Sequence, residues 1–262
     1  DWEAGRMLSG SYDKEIRIWD MKKGKSLQVL QGHKGPVTTL SVQWDGAHAV
    51  SGSEDKTIRL WNINSGDCLR TYIGHTGAVW AIDISPDGLL ALSGSVDRFV
   101  KLWDLSPDPD GDTCLKTMLR HHRAVTVVTV HWQEKQAVSG SNDRTAFLWD
   151  LNTGEVLRTF TKGSGGVWSI SVDWEGRRLV CGTGPSDNTM RLFGMENARC
   201  YATIEGHEGT VWGVAVDWAT CLRKEEMAKF QIDEDSNPPT PEEEEVPEEP
   251  PEELPTLDLS LV

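Results

Sequence analysis

Val50-Ser51-Gly52-Ser53-Glu54-Asp55-Lys56-Thr57-Ile58-Arg59-Leu60-Trp61-Asn62 decides the reading of this chain, because it returns. Residues 8–20 read LSGSYDKEIRIWD, residues 92–104 LSGSVDRFVKLWD and residues 138–150 VSGSNDRTAFLWD. A weaker fifth copy runs from Val180-Cys181-Gly182-Thr183 through Asp187 to Phe193. Trp19, Trp61, Trp103 and Trp149 stand 42, 42 and 46 residues apart. The longer interval holds the insert Ser106-Pro107-Asp108-Pro109-Asp110-Gly111, whose Pro and Gly content marks a loop. A period in this range indicates a repeat architecture in which each unit is one supersecondary element.

A second piece recurs between the copies: Gly32-His33-Lys34-Gly35-Pro36-Val37, Gly74-His75-Thr76-Gly77-Ala78-Val79 and Gly206-His207-Glu208-Gly209-Thr210-Val211. Each period also holds about four short Val/Ile/Leu/Trp-rich segments separated by Gly, Asp, Asn or Ser turns, the pattern of four strands per unit. Alternation along the Ile-Arg-Leu-Trp strand puts Arg17, Arg59, Lys101 and Arg191 on the face opposite the packed one. A unit of this size cannot bury both sheet faces alone, so its neighbours must stack on it.

Over residues 1–218 the ordered copies strongly resemble the WD-repeat family. The resemblance implies an all-β propeller of four-stranded blades, about five of them visible. Family propellers split one blade between the chain ends. Here residues 1–30 supply three strands, roughly 5–10, 15–20 and 25–30, and residues 211–217 supply one innermost strand. A closed five-bladed ring and an arc of a longer propeller both remain open. The chain starts Asp1-Trp2-Glu3 without Met, which favours sequence upstream.

Each good repeat sets a His, a Ser, an Asp and a Trp at fixed spacing. The sets are His33-Ser51-Asp55-Trp61, His75-Ser93-Asp97-Trp103 and His121-Ser139-Asp143-Trp149, and His207 completes Ser9-Asp13-Trp19 if the ends meet. Ser, His and Asp together raise the question of a hydrolase. A triad needs one exposed nucleophile, an oxyanion hole and a cleft. Near-identical copies offer no unique nucleophile, and no Gly-x-Ser-x-Gly elbow occurs. No catalytic residue is assigned. The resemblance implies instead a buried hydrogen-bond chain from the Trp indole through Ser and His to Asp. The fifth copy has Gly163, Cys181 and Phe193 where His, Ser and Trp are expected, so it should lack the network and be the least stable.

The resemblance also implies a partner-binding face at the Gly-His loops. It assigns Tyr12, Thr38, Glu54, Trp80, Thr126, Asn142, Trp168 and Trp212 to that face. Aromatic residues in a solvent-facing cluster anchor interfaces. The alternative is that each Trp packs flat on a neighbouring blade. Trp44, Trp132, Trp174 and Trp218 recur just past an inner strand, and their regularity argues for packing.

The net charge of −15 over 262 residues is unevenly placed. Residues 233–262 hold twelve Asp or Glu and no Lys or Arg, leaving −3 for the rest. Neither part carries the basic footprint that nucleic-acid backbones require. No apolar run reaches the length of a membrane span, and no secretory leader is visible. The five cysteines include no Cys-x-x-Cys pair, so neither zinc nor another metal is expected. They read as reduced thiols of a cytoplasmic or nuclear protein. Residues 1–218 are the repeat domain, 219–232 a short linker or helix, and 233–262 a disordered Pro/Glu-rich tail. The last residues, Ser260-Leu261-Val262, resemble a C-terminal ligand of PDZ domains.

The expected function is a non-catalytic scaffold or adaptor that gathers other proteins, with no cofactor, nucleic acid, membrane or small-molecule substrate. A fixed subunit of one large assembly is the second expectation. An enzyme or small-molecule binder using the central channel is the third.

Overall fold

The computed structural model describes residues 1–107, 113–161 and 163–218. The linker, helix and tail expectations lie outside them.

The described chain is all strand and turn. The first sheet has three strands: β1 (Arg6–Gly10), β2 (Ile16–Asp20) and β3 (Lys25–Leu30). Four sheets of four antiparallel strands follow. The second is β4 (Val37–Gln43), β5 (His48–Ser53), β6 (Thr57–Asn62) and β7 (Cys68–Ile73). The third is β8 (Val79–Ile84), β9 (Leu90–Ser95), β10 (Phe99–Asp104) and β11 (Cys114–Leu119). The fourth is β12 (Val125–His131), β13 (Gln136–Ser141), β14 (Thr145–Asp150) and β15 (Val156–Thr161). The fifth is β16 (Val167–Asp173), β17 (Arg178–Thr183), β18 (Met190–Gly194) and β19 (Cys200–Ile204).

Strand order within each sheet follows chain order, as tight turns between neighbouring strands require. Those turns use the left-handed region. Lys14, Lys56, Arg98 and Arg144 sit there at φ 74, 70, 76 and 74°. Each follows an Asp whose side chain accepts the N–H two residues on, as when Thr57 N–H reaches Asp55 Oδ1 at 3.0 Å.

Sheets stack through one contact used repeatedly. The glycine of each Ser-Gly-Ser strand leaves a groove, and the first valine of the next sheet fills it. A Cβ built on Gly10 would lie 2.6 Å from Val37, and on Gly52 2.6 Å from Val79. On Gly94 it would lie 2.5 Å from Val125, and on Gly140 2.6 Å from Val167. Hydrogen bonds between the outer edges repeat too. Gln28 Nε2 donates to Ser65 O (2.7 Å), Arg70 Nη2 to Pro107 O (2.8 Å), and Arg158 Nε to Glu196 O (2.9 Å), while Lys116 Nζ donates to Asn152 O. The core therefore lies between sheets. Trp61 of the second sheet packs with Ile16, Ile18 and Leu30 of the first, and Trp149 of the fourth packs with Leu102 and Met118 of the third.

Two expectations change here. First, stacking covers both faces of a sheet, so alternation does not leave the cations of the Ile-Arg-Leu-Trp strands outside. Lys101 and Arg191 are buried, and Arg17 and Arg59 are half-buried. Second, residues 211–217 form no ladder with β1. They lie instead against the fifth sheet as the first strand of a sixth unit would. Val211 fills the Gly182 groove at 2.8 Å, and its N–H donates to Thr183 O at 3.0 Å. Val37 N–H donates to Ser11 O in the same way at the first junction. Arg178 lies over Trp218 at 5.3 Å as Arg6 lies over Trp44 at 5.1 Å. The described strands form no closed sheet, which is compatible with an arc.

Candidate functional site

The repeated His, Ser, Asp and Trp side chains meet inside the second, third and fourth sheets. In the second, Trp61 Nε1–H donates to Ser51 Oγ at 2.8 Å, Ser51 Oγ lies 2.6 Å from His33 Nε2, and His33 Nδ1 lies 2.8 Å from Asp55 Oδ2. The third sheet repeats this with Trp103, Ser93, His75 and Asp97 at 2.8, 2.7 and 2.8 Å. The fourth repeats it with Trp149, Ser139, His121 and Asp143 at 2.7, 2.7 and 2.9 Å. The Asp partner places a proton on Nδ1 of each imidazole, which leaves Nε2 to accept the serine proton. Each indole N–H, serine oxygen and imidazole nitrogen of these three networks then has a partner.

Burial holds down the His33 pKa, against the opposing pull of its hydrogen bond to Asp55. Burial pushes the Asp97 carboxyl up, but bonds from His75 and the Thr76 and Phe99 N–H groups outweigh it and bring its pKa to about 2. Asp55 and Asp143 are shifted the same way: burial raises them, and bonds from Thr57, the Lys34 N–H and His33, or from His121 and Thr145, prevail. Ser51, Ser93 and Ser139 are completely buried. A hydroxyl enclosed between an indole and an imidazole has no approach for a substrate, so these groups cannot perform nucleophilic chemistry.

The proposed fourth set does not assemble. Trp19 Nε1–H donates to Ser9 Oγ at 2.8 Å, but Asp13 is exposed and bonds the Glu15 N–H at 3.0 Å. His207 is exposed on the loop leading to Val211, and among the described residues no hydrogen bond joins it to Ser9 or Asp13. Because residues 211–217 continue along the fifth sheet rather than beside β1, the ends do not bring it there.

The fifth sheet lacks the histidine network, yet its turn Asp is not abandoned. Arg191, from strand β18, places Nη2 at 3.0 and 2.8 Å from the two Asp187 oxygens, and its Nε–H donates to Thr189 Oγ1 at 3.1 Å. Ser164 N–H adds a bond to Asp187 at 3.2 Å. Gly163 makes room: a Cβ there would lie 2.1 Å from Asp187 Oδ2 and 2.3 Å from Arg191 Nη2. The coincidence of a missing His, a Gly in its place and an Arg four residues after the Asp was the available sequence signal.

At the mouth of the inner strands, a β-bulge interrupts the ladder at the same residue in four sheets. The register slips between Val37 and Thr39, Val79 and Ala81, Val125 and Val127, and Val167 and Ser169. The skipped residues are Thr38, Trp80, Thr126 and Trp168, four of the candidate partner-face positions. A bulge frees one residue from pairing and re-aims its side chain. Thr126 is small, so Trp80 and Trp168 meet across it with ring centroids 6.1 Å apart, and Trp168 lies 4.7 Å from Trp212. The rings roof a cavity of about 270 Å³ also lined by Thr126, Ile82 and Ile170.

Trp212 is 71% exposed and Tyr12 79% exposed, whereas Trp80 and Trp168 are half-buried. Thr38 and Thr126 have a structural use. Thr38 Oγ1 lies 3.0 Å from Gly52 O and bonds Val79 O of the next sheet, and Thr126 Oγ1 lies 3.0 Å from Gly140 O and bonds Val167 O. Glu54 is exposed, and Asn142 packs against Gly166. Among the described residues no group of His, Cys, Asp and Glu is arranged to hold a metal ion, and no helix is long and apolar enough to cross a membrane.

Comparison with known proteins agrees with this frame. The family model "WD domain, G-beta repeat" (WD40) matches residues 3–20, 24–62, 66–104, 112–150 and 154–193, well over half of the chain. One 40-residue stretch is 48% identical to the F-box/WD repeat-containing protein 10 of Mus musculus, covering 15% of this chain and 4% of that protein. Five matched repeats, four complete sheets and one stacking contact lead to the same conclusion: the chain belongs to the WD40-repeat family.

Proposed function

We propose that this chain is a non-catalytic scaffold that docks other proteins on the mouth of its inner strands and so assembles a complex. WD40-repeat proteins generally act as protein-interaction scaffolds and are typically non-catalytic. The observation that carries the reading is the Trp80–Trp168–Trp212 tier, in which bulges turn the rings of Trp80 and Trp168 out of the sheets and Trp212, stacked on Trp168, stands in solvent. A core would bury such rings, while an interface uses them as anchors. The free thiols of Cys68, Cys181 and Cys200 support a reducing compartment, the cytoplasm or nucleus.

The test is Trp80→Ala, Trp168→Ala and Trp212→Ala in the full chain, each followed by thermal melting and by affinity capture from native extract. Docking predicts lost capture with an unchanged melt for Trp212→Ala. Capture retained by all three variants removes the mouth from partner binding.

A further inference from the structure

Beside the tryptophan tier the charge is one-sided. Arg98 leaves the β9–β10 turn, Arg120 and Arg123 stand on the loop before β12, and Arg144 leaves the β13–β14 turn. All four are exposed, with His122 between them, and none has an ion-pair partner among the described residues. The turn acids of this region, Asp97, Asp143 and Asp187, face inward to His75, His121 and Arg191, with side chains only 4%, 5% and 7% exposed. The exposed acids Glu54, Glu205 and Glu208 lie on the loops of the second sheet and of the segment entering Val211, outside the third and fourth sheets that carry the arginines.

The backbone ties the arginines to the tier. Asn142 N–H donates to Ala124 O at 3.0 Å, joining the loop of Arg120 and Arg123 to the turn of Arg144. Gly166, two residues before Trp168, packs on Asn142. Val125, beside Thr126, fills the Gly94 groove of the sheet that carries Arg98. The loop and turn of the fourth sheet thus rise on the strand between the two tryptophans. Arg98 and Arg144 also occupy left-handed turn positions at φ 76 and 74°, where glycine or asparagine costs less.

We propose, resting on the docking reading above, that the mouth over the third to fifth sheets takes an acidic peptide segment carrying one bulky apolar side chain. The apolar group enters the cavity under Trp80, Trp168 and Trp212. The carboxylates of the segment meet Arg98, Arg120, Arg123 and Arg144, whose planar forks suit carboxylate oxygens. The occupant is fixed by complementarity: a basic segment would face unpaired cations, and a neutral one would leave them unused.

The experiment is a titration of the full chain with a fluorescent Glu-rich synthetic peptide containing one central leucine. Its comparators are the same peptide with Gln for Glu, the same peptide with Ala for Leu, and a single-stranded RNA oligonucleotide as competitor. The acidic leucine peptide should bind roughly tenfold or more tighter than either peptide comparator, and its affinity should fall as salt rises. The double variant Arg98→Gln/Arg144→Gln should lose about tenfold and flatten the salt dependence with an unchanged melt. Equal binding of the Gln peptide, no binding of any peptide, or full displacement by RNA overturns the proposal. If the arginine variants keep every captured protein that Trp168→Ala and Trp212→Ala lose, the acidic partner is wrong and the docking mouth stands. If the tryptophan variants lose nothing, the docking mouth itself falls.

Discussion

The third and fifth sheets solve one problem with different donors. In both, a turn Asp must be held against the loop that enters the sheet. In the third, His75 from that loop reaches Asp97 through one ring nitrogen and Ser93 through the other, and Ser93 in turn accepts the Trp103 indole N–H. In the fifth, a charged Arg191 reaches up from strand β18 and grips Asp187 through both oxygens. The frame therefore requires an anchored carboxylate at the turn, and the identity of the donor is secondary. The cost differs, because the fifth sheet buries a permanently charged guanidinium beside its carboxylate.

That comparison is broken most directly at Arg191. Arg191→Ala leaves Asp187 buried without its cation and should destabilise by about 3–5 kcal/mol, more than any histidine deletion, measured by chemical denaturation. A loss smaller than that of His75→Ala would mean the ion pair does not replace the network. Asp55→Ala and Asp97→Ala should each cost roughly 1–3 kcal/mol, because His33 or His75 and a loop N–H lose their acceptor. Unchanged melting of both would remove the turn Asp from the frame.

Gly163→His tests whether the fifth sheet can be returned to the common pattern by one change. It should instead cost roughly 1–3 kcal/mol, since the new Cβ strikes Asp187 and Arg191 at a backbone φ of +95°. A gain in melting temperature would show the site to be a vacated histidine pocket.

Acid should separate the sheets. His33 has a pKa held below its ordinary 6.5, so the unfolded chain binds the proton first and stability is lost as pH falls through 6.5. Asp187 burial is outweighed by Thr189 and Arg191, so its pKa lies below 3.8 and its contribution is lost only as pH falls through that range. Hydrogen exchange at pH 5 should therefore show the His33 loop loosened and the Asp187 turn still protected, with pH 5 chosen between those ordinary values. Equal protection of the two contradicts the difference in donors. The smallest effect belongs to Trp212→Ala, which should change stability by less than about 0.5 kcal/mol because the ring is in solvent.

Much of this frame was legible in the chain. Ser51, His33 and Asp55 recur at constant offsets, and constant offsets within one repeat become constant contacts. The mouth positions were legible for the same reason, although the bulge that aims Trp80 and Trp168 was not, since a register slip depends on two strands at once. Contacts between repeats were the hidden part. The Gly94–Val125 groove, the Thr126 bond to Val167 and the burial of Lys101 each depend on what a neighbouring sheet brings. His207 failed because its placement depended on a junction that the described residues do not make.

The glycine groove has a consequence for how such a molecule can change over generations. Five junctions, from Gly10–Val37 to Gly182–Val211, use the same two residue types in the same pose. A seam that is identical everywhere is indifferent to which repeat lies on either side. A duplicated repeat is therefore born with both of its mating surfaces in place, and a deleted one leaves matching surfaces to meet. Copy number can vary without inventing a new joint, while the loops above each seam remain free to diverge in what they recognise.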